Sequence, residues 1–303
     1  VDNYTKETMA FLNERFKKCD TEGIYCAHQP IYGFRMGHCE QGTIFRYIVT
    51  YQIVKALSHI NFSSLLDVGG AEGYKAALVR YIFNKSVKSV DISHEACKRA
   101  KEIFNIDGTS IDIHNLPFKD NEFDVVLCSE TLEHVADIHR ATKELIRVSK
   151  KAVIITVPHE PMSVVENNIK NNVLHGHIHS LDTNSFNFTI PLVTKIITRK
   201  FHNNFMKILC EIADAETIYQ TDYPQHILKA YNLSIPILRL IFRKKIIRSI
   251  IKIDDYVSNK LSSYGGMIFI LLKDASCYSN HQITSFSMQQ IINFNVPYHV
   301  IKK

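Results

Sequence analysis

The sequence predicts an α/β chain built on a doubly wound, mostly parallel sheet, and three observations carry the prediction. From residue 61 onward, short apolar runs alternate with helix-length amphipathic segments, the order that builds parallel strands joined by crossover helices. The first run, Leu65-Leu66-Asp67-Val68, leads straight into Gly69-Gly70-Ala71-Glu72-Gly73, and three glycines in five positions suit backbone that curls closely around a ligand. The following runs end in acids or a hydroxyl, at Asp91, Asp112 and Ser129.

Taken in order, residues 1–60 read as a helical lid in two parts. Tyr4 to Phe16 is amphipathic, and Thr43 to Ile60 carries Ile44, Tyr47, Ile48, Tyr51, Ile53, Val54 and Leu57. The Gly- and Pro-broken passage between them holds Cys26, His28, His38 and Cys39. Their spacing matches no standard zinc finger, so a packed loop over the active site is the reading adopted. After the strand at Leu65 to Val68, a helix spans Tyr74 to Phe83, and Val87 to Asp91 is the second strand. Ser93 caps a helix over Glu95 to Phe104, and Thr109 to Ile113 is the third strand. Phe123 to Cys128 is the fourth strand, Leu132 to Ser149 a helix, and Ala152 to Val157 the fifth strand. Beyond residue 180 the pattern weakens, with a helix read over Phe188 to Thr198, a strand or helix over Asn204 to Ile212, and a closing strand at Gly266 to Lys273.

Composition narrows the class. The 303 residues are 46% hydrophobic and 22% charged, which describes a soluble globular chain able to bury a core. No stretch approaches the roughly 20 apolar residues of a membrane span, and no signal segment opens the sequence. The seven cysteines, scattered and odd in number, fit reduced thiols and a cytoplasmic setting. The net charge of +6 is concentrated in 224–262, where eight Lys and Arg face Asp254 and Asp255. Leu238, Phe242, Ile246, Ile250 and Ile253 fall on one helical stripe there, so the segment reads as a basic amphipathic insertion. Such a face can rest on anionic lipid or meet an acidic acceptor, or simply pack as a lid with a solvated side. The tail, 275–303, has no clear period.

Ligands of such sheets lie beyond the carboxyl ends of the strands, where the strand order reverses. An acid about 20 residues after the glycine turn grips ribose hydroxyls, and Asp91 stands there. Asp112 can accept an exocyclic amine of adenine while Ile113 packs the ring, and Ser129 faces the far end of the ligand. The loop itself is not G-x-G-x-x-G, the dinucleotide pattern, but D-x-G-x-x-x-G.

That loop resembles the first motif of class I S-adenosylmethionine (SAM)-dependent methyltransferases, acid-x-G-x-G-x-G, with Ala71 in place of the middle glycine. The block from Asp112 through Leu116-Pro117-Phe118 to Phe123-Asp124-Val125-Val126 resembles D-x-x-x-L-P-F-x-D-x-x-F-D-x-V of the small-molecule family (methyltransferase type 11) related to ubiquinone and menaquinone biosynthesis. The likeness covers about residues 61–160. It implies a Rossmann-like, seven-stranded sheet ending in an antiparallel pair, hence a SAM-binding domain over 61–274 with 224–262 inserted before the last strand. It implies SAM contacts from Gly69, Gly70, Gly73, Asp91, Ile92, Asp112, Ile113 and Ser129, with Asp67 ordering the glycine loop.

The activity implied is methyl transfer to a small-molecule or lipid-like acceptor, with oxygen slightly favoured. An oxygen acceptor needs a base, and His134, His177 and His179 are the candidates, His175 completing an alternating trio. Those histidines also fit a polar loop. Glu130, Glu133 and His134 match an E-x-x-E-H set that can bind a divalent cation in ubiquinone-pathway O-methyltransferases. First-turn acids equally serve a helix dipole, and no metal is assigned. A SAM-binding protein without turnover and an RNA methyltransferase are the alternatives. Nothing resembles N-P-P-Y, and nucleic acid is not the expected partner.

Overall fold

The computed structural model describes residues 3–21, 29–31, 33, 43–186, 192–203, 206, 226, 229, 233 and 247–296. Helix α1 (Asn3–Thr21) and helix α2 (Thr43–Ser58) precede the sheet domain. There β1 (Ser64–Val68), α3 (Tyr74–Phe83), β2 (Ser86–Asp91), α4 (His94–Phe104) and β3 (Gly108–Ser110) follow one another. Next come β4 (Phe123–Ser129), α5 (Ile138–Val148), β5 (Ser149–Pro158), α6 (Met162–Lys170), β6 (Lys195–Phe201), β7 (Gly266–Leu272) and α7 (Met288–Asn293).

The seven strands lie in the order β3-β2-β1-β4-β5-β7-β6. Strands β1 to β5 pair in parallel, whereas β7 runs antiparallel to both β5 and β6. This is the Rossmann-like seven-stranded sheet with an antiparallel pair at one end that the sequence resemblance implied. Two apolar layers cover the faces. One unites Ile48, Leu57, Leu78 and Phe104 with Leu65, Leu127 and Ile154, and the other joins Leu66, Val126 and Ile155 to Leu145 and Phe186. Strands buried on both faces need near-continuous apolar runs, which Val125 to Cys128 and Val153 to Ile155 supply.

Four expectations change. The third strand stops at Ser110, because Asp112 Oδ1 accepts the His114 main-chain N–H at 2.9 Å and turns the chain. The helix expected from Leu132 breaks into a 3-10 turn, Leu132–His134, and then α5, whose first turn is capped by Asp137 accepting from Arg140 N. The helix placed over Phe188 to Thr198 gives way to β6, whose Ile196, Ile197 and Thr198 are β-branched and pair with β7. The tail is part of the fold: Ile291 and Ile292 are buried, and Phe294 packs on Tyr74, Tyr81 and Phe104.

Met206 is the only described residue of Asn204 to Ile212, and the Cys26, His28, His38, Cys39 set lies outside the described residues. Of the basic segment, residues 247–257 are helical. Asp255 there pairs with Lys55 at 2.6 Å and accepts from Tyr51 and Gln52, so this part packs on α2. No described helix is long and apolar enough to cross a membrane.

Candidate cofactor and acceptor site

The strand order reverses between β1 and β4, and a cavity opens at their carboxyl ends. Four successive strand ends supply its floor: Val68 and Gly69 after β1, Asp91 and Ile92 after β2, Ile111 to His114 after β3, and Ser129 to Thr131 after β4. One face of α1 closes it from above with Tyr4, Thr8, Leu12 and Phe16, which recur every fourth residue. The helix is docked by Asn13, whose Oδ1 accepts from Ser93 Oγ at 2.8 Å and Glu95 N at 3.3 Å.

The glycine loop is held from below. Gly69 and Gly73 have φ of 71° and 73°, and a Cβ on Gly69 would run into Thr131. Gly70 lies over Ser89 and Asp67 with no room for a side chain, so it and Gly73 shape the loop without lining the cavity. Asp67 is buried beneath the loop, and burial lifts its carboxyl to about 6 although Lys75 opposes the rise. Glu72 is fully buried against Arg99, Oε1 to Nε at 2.7 Å, tying the loop to α4.

Asp91 accepts from Ala71 N through Oδ2 and from Ser93 N through Oδ1, both at 2.9 Å. Burial raises its carboxyl and those amides lower it; lone pairs remain on both oxygens for a ligand. Ile92 and Ile113 stand on the same wall. Asp112 takes two donors on Oδ1, and its Oδ2 has no partner among the described residues. Ser129 Oγ shares a 2.6 Å hydrogen bond with Thr156.

At the other end, His134 reaches the cavity and the trio divides. His134 Nδ1 donates to Gly176 O at 3.1 Å, so the neutral ring keeps Nε2 as its basic nitrogen. Ile178 N donates to Glu133 O and His179 Nε2 to Val135 O at 2.7 Å, which zips 176–179 onto the turn after β4. His175 stacks on His134 with ring centroids 3.9 Å apart and lines the cavity; burial pushes its pKa down to about 4. His177 and His179 do not line the cavity. His177 Nδ1 faces Glu160 Oε1 at 3.3 Å.

Glu133, His134 and His177 bring one ligand atom each within 4.8 Å of one another, so His177 stands where the E-x-x-E-H resemblance placed Glu130. Glu133 is buried, its Oε2 has no hydrogen-bond partner among the described residues, and burial beside Glu130 holds its carboxyl well above the usual range. Such a set fits a divalent cation, which a carboxylate and two imidazoles can hold. Sequence reasoning missed Arg46, Lys75 and the α1 face as cavity walls. Lys75 is 7% exposed, and a lysine at that depth has no period to announce it.

Residues 66–157 match the family model of a methyltransferase domain. Over 117 residues the chain is 32% identical to norajmaline N-methyltransferase from Rauvolfia serpentina, covering 35% of this chain and 40% of that one. Over 131 residues it is 28% identical to glycine/sarcosine/dimethylglycine N-methyltransferase from Actinopolyspora halophila, covering 40% and 23%. The match thus spans less than half the length of either relative. A SAM-dependent methyltransferase from Thermotoga maritima, described as a possible histamine N-methyltransferase, shares the fold with a TM-score of 0.51. It is 14% identical over 89% of this chain and 99% of that one.

Proposed function

We propose that this chain, whose residues 66–157 match the model of a methyltransferase domain, is a class I SAM-dependent methyltransferase acting on a small-molecule acceptor. The observation that carries this reading is the convergence of four successive strand ends on one cavity, each bringing the group its part of the cofactor needs. Asp91 receives the ribose hydroxyls, Asp112 the adenine amine, Ile92 and Ile113 the ring faces, and Ser129 lies at the amino-acid end. Arg46 and Lys75, also on the wall, offer positive charge to a carboxylate there. SAM, when bound, supplies a methyl group on a sulfonium, open to in-line displacement.

The chain's part is then alignment, exclusion of water and control of one proton. Tyr4 and Val135 add apolar lining suited to the body of an apolar or lipid-like acceptor, while Leu12 and Phe16 pack beside Ile92 at the cofactor end. His134 Nε2 is the base that would take the proton of a hydroxyl, which is the observation favouring an oxygen acceptor. His175, neutral at pH 7, stacks behind that ring and fixes its plane. The second reading is a nitrogen acceptor. It is supported by the two relatives, both named as N-methyltransferases, and an unprotonated amine needs alignment without a base. A divalent cation, when bound, would be held by Glu133, His134 and His177; it would take His134 Nε2 as a ligand, so it is an alternative to His134 as base and would itself lower the pKa of an acceptor hydroxyl.

Calorimetry with SAM, S-adenosylhomocysteine and NAD tests the assignment. Micromolar binding of the first two and none of NAD is expected. Tighter binding of NAD, or no binding of either adenosyl ligand, defeats it. Methyl transfer from labelled SAM to panels of phenols and amines then separates the two acceptor readings.

A further inference from the structure

We infer that His114 is a positioning residue that sets which nucleobase the cavity accepts. The inference rests on the cofactor reading above and extends it to the group that orients Asp112. His114 is 8% exposed and meets Asp112 Oδ1 twice, with its main-chain N–H at 2.9 Å and its ring Nδ1 at 2.7 Å. On the other side of the ring, Nε2 accepts the Asp137 main-chain N–H at 3.2 Å. An amide can only donate, so Nε2 holds a lone pair and Nδ1 carries the proton toward the carboxylate. Arg140 Nε donates to His114 O at 2.9 Å, and Asp137 caps Arg140 N. Residue 114 is therefore pinned to the first turn of α5, and the pinned ring in turn holds Asp112.

The consequence lies in how the two carboxylate oxygens divide their work. Oδ1 is occupied by two donors from one residue, so Oδ2 is the oxygen left to meet a ligand. Held in one orientation, an oxygen that only accepts favours a purine bearing an exocyclic amine. It repels a purine bearing a carbonyl at that position, because two acceptors then face each other. Freed to rotate, the carboxylate loses that preference. Arg140 and Asp137 also border the outer pocket beside Asp112, so the base edge and the α5 cap share one wall.

The test compares S-adenosylhomocysteine with S-inosylhomocysteine, in which a carbonyl replaces the purine amine, by calorimetry on the full chain. The parent protein is expected to favour the adenosyl ligand by at least about tenfold, the worth of one well-placed hydrogen bond. His114→Phe should weaken adenosyl binding by about tenfold and compress the preference to less than about threefold. His114→Asn keeps an amide donor near the place of Nδ1 and should retain the preference within about twofold. If His114→Phe fails to fold, His114→Gln carries the same test, since its amide sits one bond too far for Oδ1. A preference unchanged in His114→Phe, or none in the parent protein while adenosyl binding is intact, overturns the inference alone. No adenosyl binding by the parent protein overturns the cofactor reading and this inference with it.

Discussion

The two ends of the cavity are built in different ways. The cofactor end is made by residues that sit within three positions of a parallel strand's terminus, Gly69, Asp91, Asp112 and Ser129 among them. The acceptor end is assembled from the turn at 130–136 and His175, about forty positions further on, with α1 lying across both ends. A parallel sheet fixes where its carboxyl ends lie, so side chains there converge by topology alone. Residues that meet through packed loops and helices converge only when the whole fold is in place. The comparison predicts that substitutions at the cofactor end act on binding, whereas those at the acceptor end act on turnover.

Asp91→Ala should have the largest effect. It removes the acceptor for Ala71 N and Ser93 N as well as for ribose, and two bonds to a charged group are worth about 3–6 kcal/mol together. Calorimetry should register a loss of two to four decades in SAM affinity. Next comes Gly69→Ala, which forces a side chain into positive φ and against Thr131. Strain and overpacking together should lower stability by roughly 3 kcal/mol or more, read by denaturant unfolding. At the acceptor end, His134→Gln should leave SAM affinity within about twofold and cut turnover of an oxygen acceptor about 100-fold. His179→Gln, whose ring is spent on Val135 O, should change turnover by less than about threefold. Equal losses of binding and turnover in both sets would erase the distinction between the two ends.

A substitution that should touch neither binding nor turnover serves as a control away from both ends. Asp254 is buried under Ser258 and the His202 main-chain N–H, and burial raises its carboxyl from 3.8 to about 6. The folded state then holds the proton more tightly than the unfolded chain. Asp254's contribution is complete below about pH 4 and is lost as pH rises through 6. Asp254→Asn should remove roughly 1–3 kcal/mol of the stability drop between pH 4 and 6, leaving the part due to Asp67, which shifts the same way. Melting curves at pH 4, 5, 6 and 7 for the two proteins check this, and identical slopes would contradict it.

Legibility in the sequence follows the same divide. Helix α3 runs over Tyr74 to Phe83 as its apolar spacing requires, and Ser93 caps α4 as its type predicts. The alternation of Ile111, Asp112 and Ile113 imitates a strand, yet one side-chain bond at Asp112 ends the pairing early. Between Leu132 and Ser149 the apolar period is continuous enough to suggest a single helix. Asp137, a capping residue in its middle, was the signal that two elements stand there. Lys75 and Arg46 carried no comparable mark, because a buried cation is defined by neighbours such as Asp67 and Glu130 that arrive from other elements. His134 and His177 lie 43 positions apart, and the bonds from Ile178 N to Glu133 O, His134 Nδ1 to Gly176 O and His179 Nε2 to Val135 O bring them together.

The contact of Asn13 with the start of α4 has a kinetic side. Four apolar or hydroxyl side chains of α1 lie across the cavity, so lifting that helix would widen the way in and out for a ligand of SAM's size. Asn13 spends its oxygen on Ser93 Oγ and Glu95 N, next door to the Asp91 carboxylate. Loosening it would leave the floor of the site intact while shortening the residence time of whatever the floor holds, so association and dissociation would accelerate together. On the proposed reading the first helix would govern how fast a ligand exchanges, and the strand ends how tightly it is held.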